Sequence, residues 1–138
     1  MSGNLVDSNI NLDVFTNDPV WSDWSQNQLE SLAYDYPLFI NPIIYSEISI
    51  GFQKIEELES ALEGCGFKLL QIPKEALFLA GKASLKYRRV KEKKIIPLPD
   101  FFIGAHAAVS KMALLTRDQS RYQIYFPTVH LLSPGKGK

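Results

Sequence analysis

The sequence has few of the residues on which disulfides and zinc sites depend. Its 138 residues include one cysteine, Cys65, and two histidines. A disulfide within the chain is therefore excluded, and a closed structural zinc site, which needs several cysteine or histidine ligands, is not expected. Because a single unpaired thiol suits a reducing compartment, we expect the protein to be cytoplasmic.

Long apolar runs are also lacking. Two of the longest, at residues 101–103 and 113–115, are far shorter than the roughly 20 residues that a transmembrane helix requires. The first residues do not combine a basic patch with an apolar segment, so no secretory signal is predicted. Both observations agree with a cytoplasmic protein that has no membrane partner.

The net charge is zero, but the charges are unevenly distributed along the chain. Residues 1–63 contain 11 acidic residues and one basic residue, whereas residues 64–138 contain 4 acidic and 14 basic residues. The two halves therefore carry charges of −10 and +10. An acidic half can collect cations, and a basic half can face an anionic polymer.

Short apolar runs alternate with stretches of helical periodicity. Strands are predicted at residues 4–7, 38–40, 67–72, 113–116 and 128–132. Helices are predicted to begin at Asp18-Pro19, at Asn41-Pro42, at Pro73 and near Asp100, and a further helix is predicted around residues 55–62. The basic residues 88–94 are predicted to lead into a loop, and residues 118–125 to form a short helix or turn. This alternation predicts an α/β fold with a parallel sheet covered on both faces. We expect one domain at residues 1–132 and a flexible tail at 133–138.

Four acidic residues are predicted to lie at one edge of this sheet. Asp7 and Asp118 follow predicted strands, and Glu47 and Asp100 lie near predicted helix starts. Ligands of open α/β sheets bind outside the carboxyl ends of the strands, where distant loops converge. Two carboxylates about 5 Å apart repel by roughly 3 kcal/mol at an effective dielectric constant of about 20, and a bound cation offsets this. Oxygen ligands favour Mg²⁺ or Mn²⁺, which can promote phosphodiester hydrolysis.

Each of these acids also has an ordinary structural interpretation. Asp7 and Asp118 would be turn formers, Asp100 a helix N-cap and Glu47 a solvated helix residue. Their joint placement is what favours a shared metal site over four separate structural roles.

Four segments resemble motifs of the PIN-domain ribonucleases, specifically of the VapC toxins. They are Asp7-Ser8-Asn9, residues 44–48 around Glu47, residues 98–107 beginning Leu98-Pro99-Asp100, and residues 114–118 ending at Asp118. They keep the order of the family's motifs and span nearly the whole chain. The resemblance implies a three-layer α/β/α sandwich with a central parallel sheet, and an endoribonuclease that uses Mg²⁺ or Mn²⁺. It also implies that Asp7, Glu47, Asp100 and Asp118 are the metal-binding catalytic acids, with a homodimer and an inhibitory antitoxin as partners.

Polar and basic residues extend this predicted site. The same resemblance places Ser8, Asn9 and Thr116 as hydrogen-bond partners of the acids, and ordinary turn or cap roles stay open for them. A basic segment before Asp100 is predicted to contact RNA phosphates, although a solvated helix end would look the same; it comprises Lys82, Lys86, Arg88, Arg89, Lys91, Lys93 and Lys94. Arg121 stands where some relatives have a further acid, so the sequence leaves open one metal or two, and Arg121 is predicted to hold a substrate phosphate.

Two other functions agree with parts of the sequence. A noncatalytic RNA- or protein-binding module of the same fold would usually have lost one of the acids, and all four are present. A phosphoacceptor signalling domain also uses strand-end aspartates and a threonine such as Thr116, but it needs paired acids near Asp7, where Ser8 and Asn9 stand. We therefore predict an endoribonuclease that is the toxin of a toxin–antitoxin pair.

Overall fold

The computed structural model describes residues 3–90 and 96–134. Within them, five short strands form one sheet: β1 (Asn4–Val6), β2 (Leu38–Ile40), β3 (Phe67–Leu69), β4 (Ala113–Leu115) and β5 (Leu131–Leu132). The helices are α1 (Ser8–Phe15), α2 (Ser22–Ala33), α3 (Pro42–Ile48), α4 (Ile55–Gly64), α5 (Lys74–Val90), α6 (Leu98–Val109) and α7 (Ser120–Gln123). A 3₁₀ turn follows α3 at Ser49–Gly51.

The strand order β3-β2-β1-β4-β5 places the first strand at the centre of the sheet. All strand pairs are parallel, and Leu5 of β1 lies opposite Phe39 of β2 on one side and Leu114 of β4 on the other. The chain extends the sheet from β1 towards β3 and then crosses to the other side of β1. The direction of winding therefore reverses between β1 and β4, and such a reversal opens a crevice at the carboxyl ends of the two strands.

Helices cover both faces of the sheet, because consecutive strand residues point to opposite sides. Leu5 and Leu114 belong to a larger apolar core that includes side chains of α3 to α7, whereas Val6 and Leu115 join a smaller core with α1 and α2. Strands β1 and β4 are wholly buried, as expected of strands covered on both faces. The predicted α/β/α sandwich with a central parallel sheet is confirmed.

The two cap-plus-proline signals in the sequence have different outcomes. At Asn41-Pro42 the prediction is confirmed, because the Asn41 side chain accepts a hydrogen bond of 2.9 Å from the backbone N of Ile44 and α3 begins at the proline. At Asp18-Pro19 the prediction is wrong. The Asp18 side chain accepts hydrogen bonds from two backbone amides, but they belong to a turn, and α2 begins only after it.

The sequence analysis misses one helix and misplaces several element boundaries. It misses α1 because two polar side chains of this helix, Asn11 and Asp13, are buried with its apolar ones and weaken the periodicity of the segment. Strand β3 ends at Leu69 rather than at residue 72, and β5 begins at Leu131 rather than at residue 128. Both outer strands are shorter than predicted, because the paired register with the neighbouring strand covers only Phe67–Leu69 and Leu131–Leu132.

The basic segment differs from the sequence expectation, whereas Asp100 lies near the start of a helix, as predicted. Helix α5 continues through Arg88 and Arg89, and residues 91–95 lie outside the described part of the chain. Asp100 lies in the first turn of α6, whose N-cap residue is Pro97. Of the predicted tail, residues 135–138 lie outside the described residues, and the Ser133 hydroxyl donates a 3.0 Å hydrogen bond to Gln119. No helix in the described ranges is both long and apolar enough to cross a bilayer.

Gly104 lies where α6 packs against the ring of Phe126. A Cβ atom at residue 104 would overlap this buried ring, with Cγ of Phe126 at 3.0 Å and two further ring carbons closer still. We expect Gly104→Ala to lower the free energy of unfolding by about 1–2 kcal/mol, since overpacking outweighs the higher helix propensity of alanine. Denaturant titration measures this change.

Gly81 provides the matched control in α5. A Cβ atom there would meet nothing within 4 Å, so Gly81→Ala is expected to raise the free energy of unfolding by up to about 1 kcal/mol. Equal effects of the two substitutions would contradict the packing argument.

Candidate active site

Strands β1 and β4 end side by side at the reversal point, and each is followed by a buried polar residue. Asp7 follows β1 and Thr116 follows β4, in line with the parallel register that pairs Val6 with Leu115. The Thr116 hydroxyl donates a 2.8 Å hydrogen bond to Asp7 Oδ2. The two strand ends are therefore joined through their side chains in the crevice.

Asp7 is almost fully enclosed, with 3% of its surface exposed, and four groups donate hydrogen bonds to its carboxylate. Besides the Thr116 hydroxyl, these are the backbone N and the hydroxyl of Ser8, at 2.7 and 3.4 Å from Oδ1, and the hydroxyl of Tyr122, at 2.8 Å from Oδ2. Burial raises the pKa of Asp7, and the nearby charge of Asp118 acts in the same direction, while the hydrogen bonds from Tyr122, Thr116 and the Ser8 backbone lower it. The carboxylate is thus held in one orientation in an environment that disfavours its charge.

Asp100 approaches Asp7 from the first turn of α6 and is 4% exposed. Its Oδ1 lies 3.4 Å from the Tyr122 hydroxyl, and its Oδ2 lies 3.2 Å from Nη1 of Arg121. Burial is the main cause that raises the pKa of Asp100 to about 7, and the charges of Asp7 and Glu47 add to it. The site therefore takes up a proton close to neutral pH.

Glu47 and Asp118 form the more exposed part of the acidic cluster. Glu47 lies in the last turn of α3 and not near its start, as predicted, because this helix is only seven residues long and ends at Ile48. Its carboxylate accepts a 2.9 Å hydrogen bond from the Ser8 hydroxyl. Burial together with the charge of Asp7 raises the pKa of Glu47. Asp118 follows β4, with 43% of its side chain exposed, and its backbone N donates a 3.0 Å hydrogen bond to Thr116 Oγ1. The structure thus brings the four sequence-predicted acids to one end of the sheet.

Arg121 pairs with two of these acids. Its Nη1 lies 3.2 Å from Asp100, and its Nε lies 3.3 Å from Oδ2 of Asp118. The guanidinium therefore places a positive charge among the carboxylates, at a position for which the sequence predicted a contact with substrate phosphate. That contact remains a prediction.

The three predicted hydrogen-bonding residues lie within the site. Ser8 and Thr116 contact the acids directly, whereas Asn9 contacts Thr116. The Asn9 Nδ2 lies 3.4 Å from Thr116 Oγ1, and its Oδ1 accepts a 3.3 Å hydrogen bond from the backbone N of Arg117. Asn9 therefore acts on the turn that follows β4 rather than on an acid.

The structure describes only some of the basic residues that were predicted to contact RNA. Lys82, Lys86, Arg88 and Arg89 lie on α5, which packs against α6, the helix that carries Asp100. All four side chains are exposed, and Lys82 Nζ lies 5.2 Å from the centre of the Phe78 ring. Lys91, Lys93 and Lys94 lie outside the described residues.

Tyr122 is the site residue that the sequence analysis missed. It is fully buried on α7, and its hydroxyl lies between Asp7 and Asp100. Its position four residues after Asp118, in a predicted short helix, was the available signal. That signal is weak, because most buried tyrosines in a helix only fill the core.

The donor set fits a divalent cation in its chemistry, since all four acids offer oxygen ligands, which hard ions such as Mg²⁺ prefer. In the described part of the chain, however, no three acidic, histidine or cysteine side chains have an arrangement that could hold a metal ion. In this structure Arg121 and Tyr122 contact carboxylate oxygens of Asp7, Asp100 and Asp118. A cation bound to Asp100 and Asp118 would therefore compete with the Arg121 guanidinium for their oxygens.

Comparison with known proteins identifies similar sequences and folds. The model of the PIN domain family matches residues 5–127. VapBC2 from Rickettsia felis, solved with a promoter DNA fragment, is 21% identical, with a TM-score of 0.74 over 94% of this chain and 97% of that one. VapBC-1 from nontypeable Haemophilus influenzae is 19% identical, with a TM-score of 0.72 over 94% and 96% of the chains. A toxin–antitoxin complex from Klebsiella pneumoniae is 23% identical, with a TM-score of 0.65 over 96% and 98%. No curated protein matches the chain significantly.

Proposed function

The chain belongs to the PIN domain family, and on that premise we propose that it is a metal-dependent endoribonuclease, the toxin of a toxin–antitoxin pair. One observation carries the proposal: four acids from separate segments converge at the end of β1 and β4, namely Asp7, Glu47, Asp100 and Asp118. Convergence of like charges in a partly buried site opposes folding. A function that uses the negative charge accounts for it.

Mg²⁺ or Mn²⁺ would be held by these four carboxylates. When bound, such an ion supplies charge stabilisation for a phosphodiester and a more acidic water molecule. Thr116 and Tyr122 would keep the Asp7 carboxylate in one orientation, and Ser8 would do the same for Glu47. Because these hydrogen bonds already restrict the carboxylates, less conformational entropy would be lost when they bind a cation.

RNA would be bound through its phosphates. The exposed basic side chains of α5, Lys82, Lys86, Arg88 and Arg89, are suited to this, together with Lys91, Lys93 and Lys94 of the following segment. Arg121, once released from Asp100 and Asp118, would contact a phosphate next to the bond that is cleaved. Affinity of this kind falls as the salt concentration rises.

A protein partner is part of the proposal. The three solved structures reported above are described as VapBC or toxin–antitoxin complexes. By analogy, we propose that this chain pairs with an antitoxin, forms a homodimer and acts in the cytoplasm. Large apolar side chains on its surface, such as Tyr34, Ile50 and Phe78, are available for protein contacts.

Incubation of the purified protein with total cellular RNA tests the activity. With Mg²⁺ or Mn²⁺ we expect discrete fragments, and with EDTA none. Asp100→Asn is expected to yield no fragments either, because it removes a buried carboxylate of the site. Asp35→Asn, at an exposed acid after α2, is the control and should cleave like the unmodified protein.

Fragments that persist in EDTA or in Asp100→Asn would contradict the proposal. If the protein neither cleaves RNA nor binds Mn²⁺ in calorimetry, the alternative of a noncatalytic RNA- or protein-binding module of the same fold takes its place.

A further inference from the structure

Arg117 lies in the turn between Thr116 and Asp118, and its guanidinium is bound by a carboxylate from another element. Arg117 Nε lies 2.8 Å from Oδ2 of Asp13 on α1, and Nη2 lies 3.0 Å from Oδ1. Asp13 is 3% exposed and the Arg117 side chain is 28% exposed, so the pair is partly shielded from water. Such two-point contacts between guanidinium and carboxylate define both distance and angle.

Helix α2 supports this ion pair from two sides. The Ser25 hydroxyl donates a 2.7 Å hydrogen bond to Asp13 Oδ2. The Arg117 guanidinium carbon lies 5.0 Å from the centre of the Trp21 ring, within the range of a cation–π contact. The Arg117 side chain is therefore held by α1 and α2 together, on the face of the sheet opposite the larger core.

A contact of this kind constrains the turn more than it stabilises the fold. The attraction between a buried carboxylate and a half-buried guanidinium is offset in part by the loss of their hydration, whereas the two-point contact still requires a defined geometry. The turn contributes two residues to the candidate active site. The Thr116 hydroxyl donates a hydrogen bond to Asp7, and the backbone N of Asp118 donates one to Thr116 Oγ1. The backbone N of Arg117 is held in addition by Asn9 Oδ1.

We propose that Asp13 and Arg117 are positioning residues: their ion pair holds the turn at residues 116–118 so that Thr116 orients Asp7 and Asp118 faces the other acids. The consequence for catalysis rests on the proposed nuclease function. The consequence for the order of the turn does not.

A double-mutant cycle tests the catalytic consequence. Asp13→Asn and Arg117→Gln are each expected to lower kcat for RNA cleavage about tenfold with KM unchanged, the size of effect typical of residues that orient metal ligands. The double variant should be no slower than either single variant, because each substitution already removes the pair. Arg117→Lys keeps the charge without the two-point contact and should show most of the loss.

Amide hydrogen exchange measured by NMR tests the order of the turn separately. We expect the Asp118 amide to exchange about tenfold faster in Asp13→Asn and in Arg117→Gln. Leu62→Ala in the core at α4 is the control for a general loss of stability. At temperatures where it is folded, it should retain the kcat and the Asp118 exchange rate of the unmodified protein.

The outcomes are distinguishable. If the unmodified protein cleaves no RNA but exchange at Asp118 accelerates in both variants, the nuclease proposal fails and the positioning of the turn stands. Unmodified exchange at Asp118 together with unchanged kcat would overturn the inference. So would multiplicative losses in the double variant, about a hundredfold, or a pattern identical to that of Leu62→Ala.

Discussion

Asp7→Asn is expected to lower kcat for RNA cleavage about a thousandfold, equivalent to roughly 4 kcal/mol of transition-state stabilisation. Asp7 is the acid in closest contact with the other site residues: it is bonded to Tyr122 and Thr116 and electrostatically coupled to Asp100, Glu47 and Asp118. The substitution removes one negative charge and leaves the shape of the side chain almost unchanged. Single-turnover cleavage of a defined RNA measures the loss.

The same variant should fold as well as the unmodified protein. Because burial raises the pKa of Asp7, its environment disfavours the charge that asparagine lacks. The asparagine oxygen can still accept the backbone N–H of Ser8, and the Tyr122 hydroxyl can accept a hydrogen bond from the asparagine NH2 group while it donates to Asp100. We therefore expect an equal or higher Tm in thermal denaturation.

Asp23→Asn is the matched control, since Asp23 is an exposed acid in the first turn of α2. It should leave kcat within about twofold of the unmodified protein, as for an ordinary surface substitution. An Asp7→Asn variant that cleaves RNA at a rate comparable to that of the unmodified protein would refute the assignment of Asp7. A markedly lower Tm in this variant would contradict the expected effect on stability.

The affinity of the site for Mn²⁺ is expected to fall about fiftyfold between pH 7 and pH 5, as the charged fraction of Asp100 falls from about one half to about 1%. A carboxylate must be deprotonated to bind a cation, and the pKa of Asp100 is raised from 3.8 to about 7, mainly by burial and then by the charge of Asp7. Each pH unit below this value therefore reduces the charged fraction of Asp100 about tenfold. Calorimetric titration of the metal at several pH values measures the slope.

The stability of the metal-free protein should decrease as pH rises, whereas the affinity for Mn²⁺ increases. Between about pH 4 and pH 7 the folded protein binds a proton at Asp100 that the unfolded chain has released, so its free energy of unfolding falls as pH rises through this window. Added Mg²⁺ should therefore raise Tm near pH 8 and have little effect near pH 5. Asp100→Asn should weaken the pH dependence of stability, and an unchanged dependence in this variant would exclude Asp100 as its source.

Local sequence patterns were sufficient to predict the elements that a run of apolar residues or a helix cap marks in the sequence. The central strands are apolar and short, Asn41-Pro42 starts a helix, and the apolar segment after Asp100 is a buried helix. Local patterns did not predict α1, because this helix buries the polar side chains of Asn11 and Asp13 and therefore lacks a clear apolar period. At Asp18 a capping side chain served a turn rather than a helix.

The sequence by itself determined the class of fold and that acidic side chains meet at one edge of the sheet, because strand ends are local features and parallel strands bring their carboxyl ends to the same edge. Only the tertiary structure decided that β1 lies beside β4, which makes their junction the place where the acids meet. It also decided that Tyr122 joins Asp7 to Asp100 and that Asp13 holds Arg117. Each of these contacts joins residues far apart in the chain, and side-chain pairs of that kind leave no period or spacing in the sequence from which they could be predicted.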